Sequence, residues 1–72
     1  MKITYDRSVD AAYIYLSAAA EQIDKTYPCD PIEVNGQINL DFDALGRLVG
    51  IEVLDASLKL PEAILKAAEI IG

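Results

Sequence analysis

From Ile32 to Phe42 the chain alternates without a break. Ile32, Val34, Gly36, Ile38, Leu40 and Phe42 take the even positions, and Glu33, Asn35, Gln37, Asn39 and Asp41 the odd ones. A period of two sends the two sets to opposite sides of an extended chain, so the segment reads as one strand with one buried face. The dipeptide Asn35-Gly36 also suits a two-residue hairpin. That hairpin would pair Glu33 with Ile38 and put a carboxylate on the core face, so phase favours a continuous strand, kinked or bulged at Gly36.

Shorter strands surround it. Ile3-Thr4-Tyr5 alternates, and Asp6-Arg7-Ser8-Val9-Asp10 supplies turn chemistry. Ala11–Leu16 is apolar on both faces, with Tyr13 and Tyr15 on one and Ala12, Ile14 and Leu16 on the other. Such a strand lies centrally in a sheet or in an interface. Ile23–Tyr27 is a third, more polar strand, and Pro28-Cys29-Asp30-Pro31 interrupts the ladder because proline has no N–H to donate. Asp43-Ala44-Leu45-Gly46 then leads into a strand over Arg47–Leu54. A four-residue loop with Gly46 at positive φ pairs Phe42 with Arg47, Leu40 with Val49 and Ile38 with Ile51. A three-residue loop would set Ile38 against Glu52, so the first register is expected.

After Leu54 the period changes. Asp55-Ala56-Ser57 offers a cap and a single turn, and Pro61 opens a helix ending by Gly72. Leu60, Ile64, Ala67, Ala68 and Ile71 form its apolar stripe, with Glu62 and Lys66 outward at i,i+4. The sum is a single α+β domain over residues 1–72: an antiparallel meander of four to five strands with one C-terminal helix packed on one face. The helix covers one side only. The other carries Tyr13, Tyr15, Leu48 and Leu54, too apolar to stay wet, and is expected to be a homodimer surface. Chain length agrees, because burial and chain entropy nearly cancel in a domain of 72 residues, and self-association supplies the remainder.

Several functions are set aside by composition. Six Lys and Arg against twelve Asp and Glu give a net charge of −6, which repels phosphate backbones and anionic membrane surfaces but suits a basic protein partner. No apolar run is long enough to span a membrane, and Met1–Asp6 turns acidic too soon for a signal peptide, so a cytoplasmic protein is expected. No histidine is present to activate Cys29 or a serine, and Asp30 beside Cys29 disfavours the thiolate. No phosphate-binding glycine motif occurs, so neither an enzyme nor a resident cofactor is expected. Asp41, Asp43, Gly46 and Glu52 match positions 1, 3, 6 and 12 of a calcium-binding loop, but position 5 is Leu45 and both flanks read as strands. Asp41, Asp43 and Glu52 therefore read as an outward acidic surface, with a weak ion site at Asp41 and Asp43 as an alternative.

Met1–Asp6 continuing through Val9–Ser17, then Ile38–Asp43 and Gly46–Ser57, resemble the small bacterial family catalogued as domain of unknown function 2283. The resemblance implies a small stand-alone cytoplasmic protein and carries no catalytic residue with it. The reading is a non-enzymatic homodimeric interaction module. Its alternatives are an antitoxin-like partner of a small basic toxin and a small-ligand or weak metal-binding domain.

Overall fold

A computed structural model describes residues 1–17 and 22–72. The described elements are β1 (Lys2–Asp6), β2 (Ala11–Tyr15), β3 (Lys25–Pro28), β4 (Ile38–Phe42), β5 (Leu48–Leu54), α1 (Ala56–Lys59), α2 (Glu62–Ala67) and β6 (Glu69–Ile70). The strands form one sheet in the order β3-β4-β5-β2-β1-β6. All pairings are antiparallel except β1 with β6, which is parallel. The α+β class holds, but β2 lies against β5 rather than β3, so a β1–β2 hairpin docks on a β3–β4–β5 meander.

Three expectations are corrected. The alternation from Ile32 to Phe42 is neither one strand nor a two-residue hairpin: β4 begins at Ile38 and Ile32 is 87% exposed. Asp30-Pro31 starts a local turn instead. The Asp30 carboxylate accepts the Ile32 N–H at 2.9 Å, Val34 N–H reaches Asp30 O, and Gly36 N–H reaches Pro31 O. These short-range bonds satisfy the backbone without a sheet partner. Asn35 takes the left-handed conformation at φ 49°, and Lys59 of α1 clamps the turn through Val34 O at 3.0 Å.

The β4–β5 register also differs. Ile38 pairs with Val53 and Leu40 with Ile51, while beyond an irregularity at Asp41/Phe42 the partner of Phe42 is Leu48. Ile38 and Leu40 are displaced by two residues from their expected partners and keep their faces, while Phe42 is displaced by one, to the Leu48 partner of the three-residue loop, and the irregularity supplies the difference. Gly46 does take positive φ, at 78°.

The C-terminal helix is the third. The expected turn after Asp55 forms as α1, but the helix that follows Pro61 is short, and the chain leaves it, as α2, after Ala67 to lay β6 against β1. Of the predicted stripe Leu60 packs on the core of Ala12, Val53 and Ala56, joined by Leu65, which the stripe had left out. The Glu62–Lys66 ion pair forms as its spacing indicated, at 2.9 Å.

No side chain at the start of α1 caps it; Asp10, from the β1–β2 turn, does so from a distance. Its carboxylate accepts Ser57 N–H at 3.0 Å and the Ser57 hydroxyl at 2.7 Å, while Tyr5 donates to it at 2.7 Å. The Ser57 and Tyr5 bonds hold the Asp10 carboxyl below its ordinary pKa. A group depressed on folding contributes stability that is present above the unfolded pKa, near 4, and lost as pH falls through the folded one. Asp10→Asn is expected to lower the melting temperature at pH 7 and to flatten its decline below pH ~4, measured by thermal melts across an acid series.

Candidate functional site

The molecule measures 32 × 29 × 19 Å, one sheet layer under one layer of helix. Cross-strand partners share a face, so register assigns each side chain to a side. Tyr5, Ala12, Ile14, Ile38, Leu40, Ile51 and Val53 lie on the helix side. The other side carries Lys2, Thr4, Tyr13, Tyr15, Thr26, Asn39, Asp41, Gly50, Glu52 and Leu54. Among the described residues, no helix covers this second side. Tyr13, Tyr15 and Leu54 therefore share this face, whereas Leu48 lies opposite Phe42, beyond the irregularity in the β4–β5 ladder.

Across that face runs a chain of contacts from β1 to β3. The Lys2 ammonium stands 5.2 Å from the Tyr15 ring centroid. The Tyr15 and Tyr13 rings are 4.6 Å apart and tilted by 54°, within the range of favourable aromatic pairs. The Tyr13 hydroxyl donates to Asp41 Oδ2, and Thr26 donates to Oδ1 of the same carboxylate at 2.6 Å. Tyr13 sits on β2 and Asp41 on β4, so the side chain must cross β5. It crosses at Gly50, where an added Cβ would fall 2.6 Å from Tyr13 Cε1 and closer still to its hydroxyl. Gly50 is thus the opening that lets one tyrosine tie the two parts of the sheet together.

Burial pushes the Tyr13 phenol well above its ordinary pKa, and the bond to Asp41 adds to the effect. A group raised on folding contributes stability that is intact below the unfolded pKa, near 10, and falls as pH rises toward the folded one. Urea melts from pH ~8 to ~11 are expected to show an alkaline loss of stability that Tyr13→Phe reduces.

The acidic residues take different places from those expected of an outward acidic surface. Asp41 is 6% exposed and Asp43 8% exposed, while Glu52 is half-buried and accepts Asn39 Nδ2–H at 2.8 Å. Asp43 organises the β4–β5 loop, with Oδ1 accepting Leu45 and Arg47 N–H at 2.9 Å each and Oδ2 accepting Arg47 Nε–H at 2.8 Å. The Arg47 backbone N–H is the main reason its carboxyl lies below the ordinary pKa. The oxygens that a cation would need are engaged by protein donors, and no group of three potential metal ligands occurs among the described residues.

Sequence reasoning missed Lys2, Thr26 and Gly50 as members of this site. The one local signal was Gly50 itself, a glycine between Val49 and Ile51 inside a strand, which marks a close approach. The chain belongs to the family described as protein of unknown function (DUF2283), matched over residues 2–57. The match contains every residue of the cross-sheet chain and of the Asp10 cap, and stops before α2 and β6. No curated protein and no solved structure matches the chain. No described helix is long and apolar enough to cross a membrane.

Proposed function

We propose that the protein is a non-enzymatic interaction module that works as a homodimer, closing the helix-free face of its sheet on a second copy. The observation that carries this is the open face itself, with Tyr15 37% exposed on it against the Tyr13 ring, and with Leu48 38% exposed at the loop end of β5. The modest core supports it. Among the described residues the buried apolar ones are Ala12, Val49, Val53 and Ala56, and no large side chain is fully buried. The accessible surface is 4963 Å², against about 4,400 Å² for a compact monomer of this mass. The excess is the kind of surface that a two-fold, self-complementary contact removes.

Sedimentation velocity is the test. The protein is expected to run at twice its 7.8 kDa mass, and the double variant Tyr15→Glu/Leu48→Asp as a monomer. Leu58→Glu, on α1 and 83% exposed, is the control and leaves the dimer intact. A wild-type monomer at all concentrations, or equal dissociation of the control, would overturn the proposal.

The net charge of −6 favours a second reading, in which a small basic protein occupies the same face as an antitoxin's target would. That complex would form fast at low ionic strength and weaken steeply with salt, whereas the apolar homodimer would not.

A further inference from the structure

The two edges of the sheet are guarded in different ways. At the β3 edge, Cys29 N–H donates to Ile38 O at 2.8 Å, which fixes the phase of the ladder. Lys25, Tyr27 and Cys29 then face β4, while Thr26 and Pro28 turn their backbone outward. Pro28 therefore stands where a docking strand would need an N–H, and the ladder passes it intact because proline faces away from β4. This is a permanent block of the kind natural sheets use at their edges.

The β1 edge carries no such block. It is covered by β6, which is two residues long, pairs only with Thr4 and Tyr5 of the five-residue β1, and is exposed at both positions. Its continuation donates Ile71 N–H to Tyr5 O at 2.9 Å, with Ile70 and Ile71 each 46% exposed. The segment that delivers it, α2, contains no buried residue. Glu69 reaches toward Lys2, with Nζ and Oε2 4.0 Å apart and both side chains exposed, so solvent screens the attraction. The cover is made of few bonds and little buried surface, the description of a low-stability segment.

We propose that the outer edge of β1 is a binding site for an extended segment of a second protein, added parallel to β1, and that Glu69–Ile71 occupies it in cis. The preferred segment repeats the chemistry of the resident one: an acidic residue opposite Thr4 and within reach of the Lys2 ammonium, followed by two aliphatic residues. Main-chain bonds to Tyr5 supply affinity, and the Lys2 ammonium supplies the preference for an acid, as in other strand additions to a free edge. A tail tethered nearby competes at an effective concentration of roughly millimolar, so the site is masked until the tail is displaced. This site is at an edge of the sheet, and its main-chain bonds lie outside the proposed dimer face, which it meets only at Lys2 beside Tyr15.

The probe is a fluorescent peptide of residues 65–72, titrated by anisotropy against the unmodified chain and against Ile71→Pro. Proline there removes the N–H that bonds Tyr5 O while leaving the core untouched. Binding to the variant is expected to be about tenfold tighter or more, because the competent state is no longer scarce. Lys2→Glu should weaken binding, and a peptide carrying lysine in place of its glutamate should restore it. Failure of a folded Ile71→Pro variant to bind more tightly than the wild type, or equal binding of a scrambled peptide, would overturn the proposal. A peptide-free dimer of the wild type that exchanges its own tails, seen as mixed dimers of mass-labelled chains lost in Ile71→Pro, would also overturn it. Native-state hydrogen exchange keeps the question answerable if the variant does not fold. The Ile71 amide of the unmodified chain must exchange far faster than those of β2 and β5, and equal protection would show the cover to be fixed.

Discussion

Replacing Gly50 with alanine is expected to destabilise the protein by about 2–6 kcal/mol, from about 1–3 for forcing a group into filled space and about 1–3 for a buried partner left unpaired. The new Cβ would collide with the Tyr13 ring and hydroxyl. Tyr13 would have to leave its path over β5, and Asp41, 6% exposed, would lose the phenol while keeping the Thr26 hydroxyl as a donor. A chain of 72 residues has a total stability of about 4–11 kcal/mol, so the substitution removes a large share of it. Urea denaturation gives the number. Tyr13→Phe isolates the hydrogen bond, and Tyr13→Ala/Gly50→Ala relieves the collision; if the two changes simply add, the proposed crossing at Gly50 is wrong. Loss of Tyr13 from its place should also disturb Tyr15, whose ring lies 4.6 Å away.

That link shows where the sequence was legible and where it was not. Strand faces were legible, because alternation within β1, β2 and β5 is local and any register shift of two residues preserves it. Tyr13, Tyr15 and Leu54 accordingly share a face although the β4–β5 pairing differs from the expected one, and Leu48 departs from it because the irregularity at Asp41/Phe42 interrupts the alternation. Tyr13 and Asp41 are 28 positions apart, and their meeting depends on β2 pairing with β5, which no local pattern encodes. The alternation at Ile32–Gly36 misled for the opposite reason. Asp30 and Pro31 supply a turn through bonds spanning two to five residues, and hydrophobic periodicity is blind to such bonds. At the other end, Ala67, Ala68 and Ile71 keep helical spacing, but an open β1 edge draws the chain into a strand. Asp41 and Asp43 looked like surface acids because carboxylates are rarely buried unless partnered, and their partners Tyr13, Thr26 and the Arg47 N–H come from tertiary structure or from loop geometry.

Val53→Ala is expected to cost about 2–3 kcal/mol, a cavity penalty at the low end of those seen for larger aliphatic residues. Val53 is 3% exposed and contacts Ala12 and Ala56, themselves too small to close over the space that two methyl groups leave. With roughly 4–8 °C of melting temperature per kcal/mol in a domain of this size, the midpoint should fall by about 10–20 °C. The size of the fall then reports on the open face. If a second copy covers that face, unfolding is coupled to dissociation, and the melting temperature of both proteins rises with protein concentration. Val53 faces the helices and leaves Tyr15 and Leu48 untouched, so the variant should keep the same concentration dependence from a lower starting point. Tyr15→Glu/Leu48→Asp should do the reverse, abolishing the dependence while leaving the helix-side core intact. Differential scanning calorimetry over a hundredfold concentration range separates the two. A melting temperature that ignores concentration in the wild type would mean that the small core of Ala12, Val49, Val53 and Ala56 supports the fold alone.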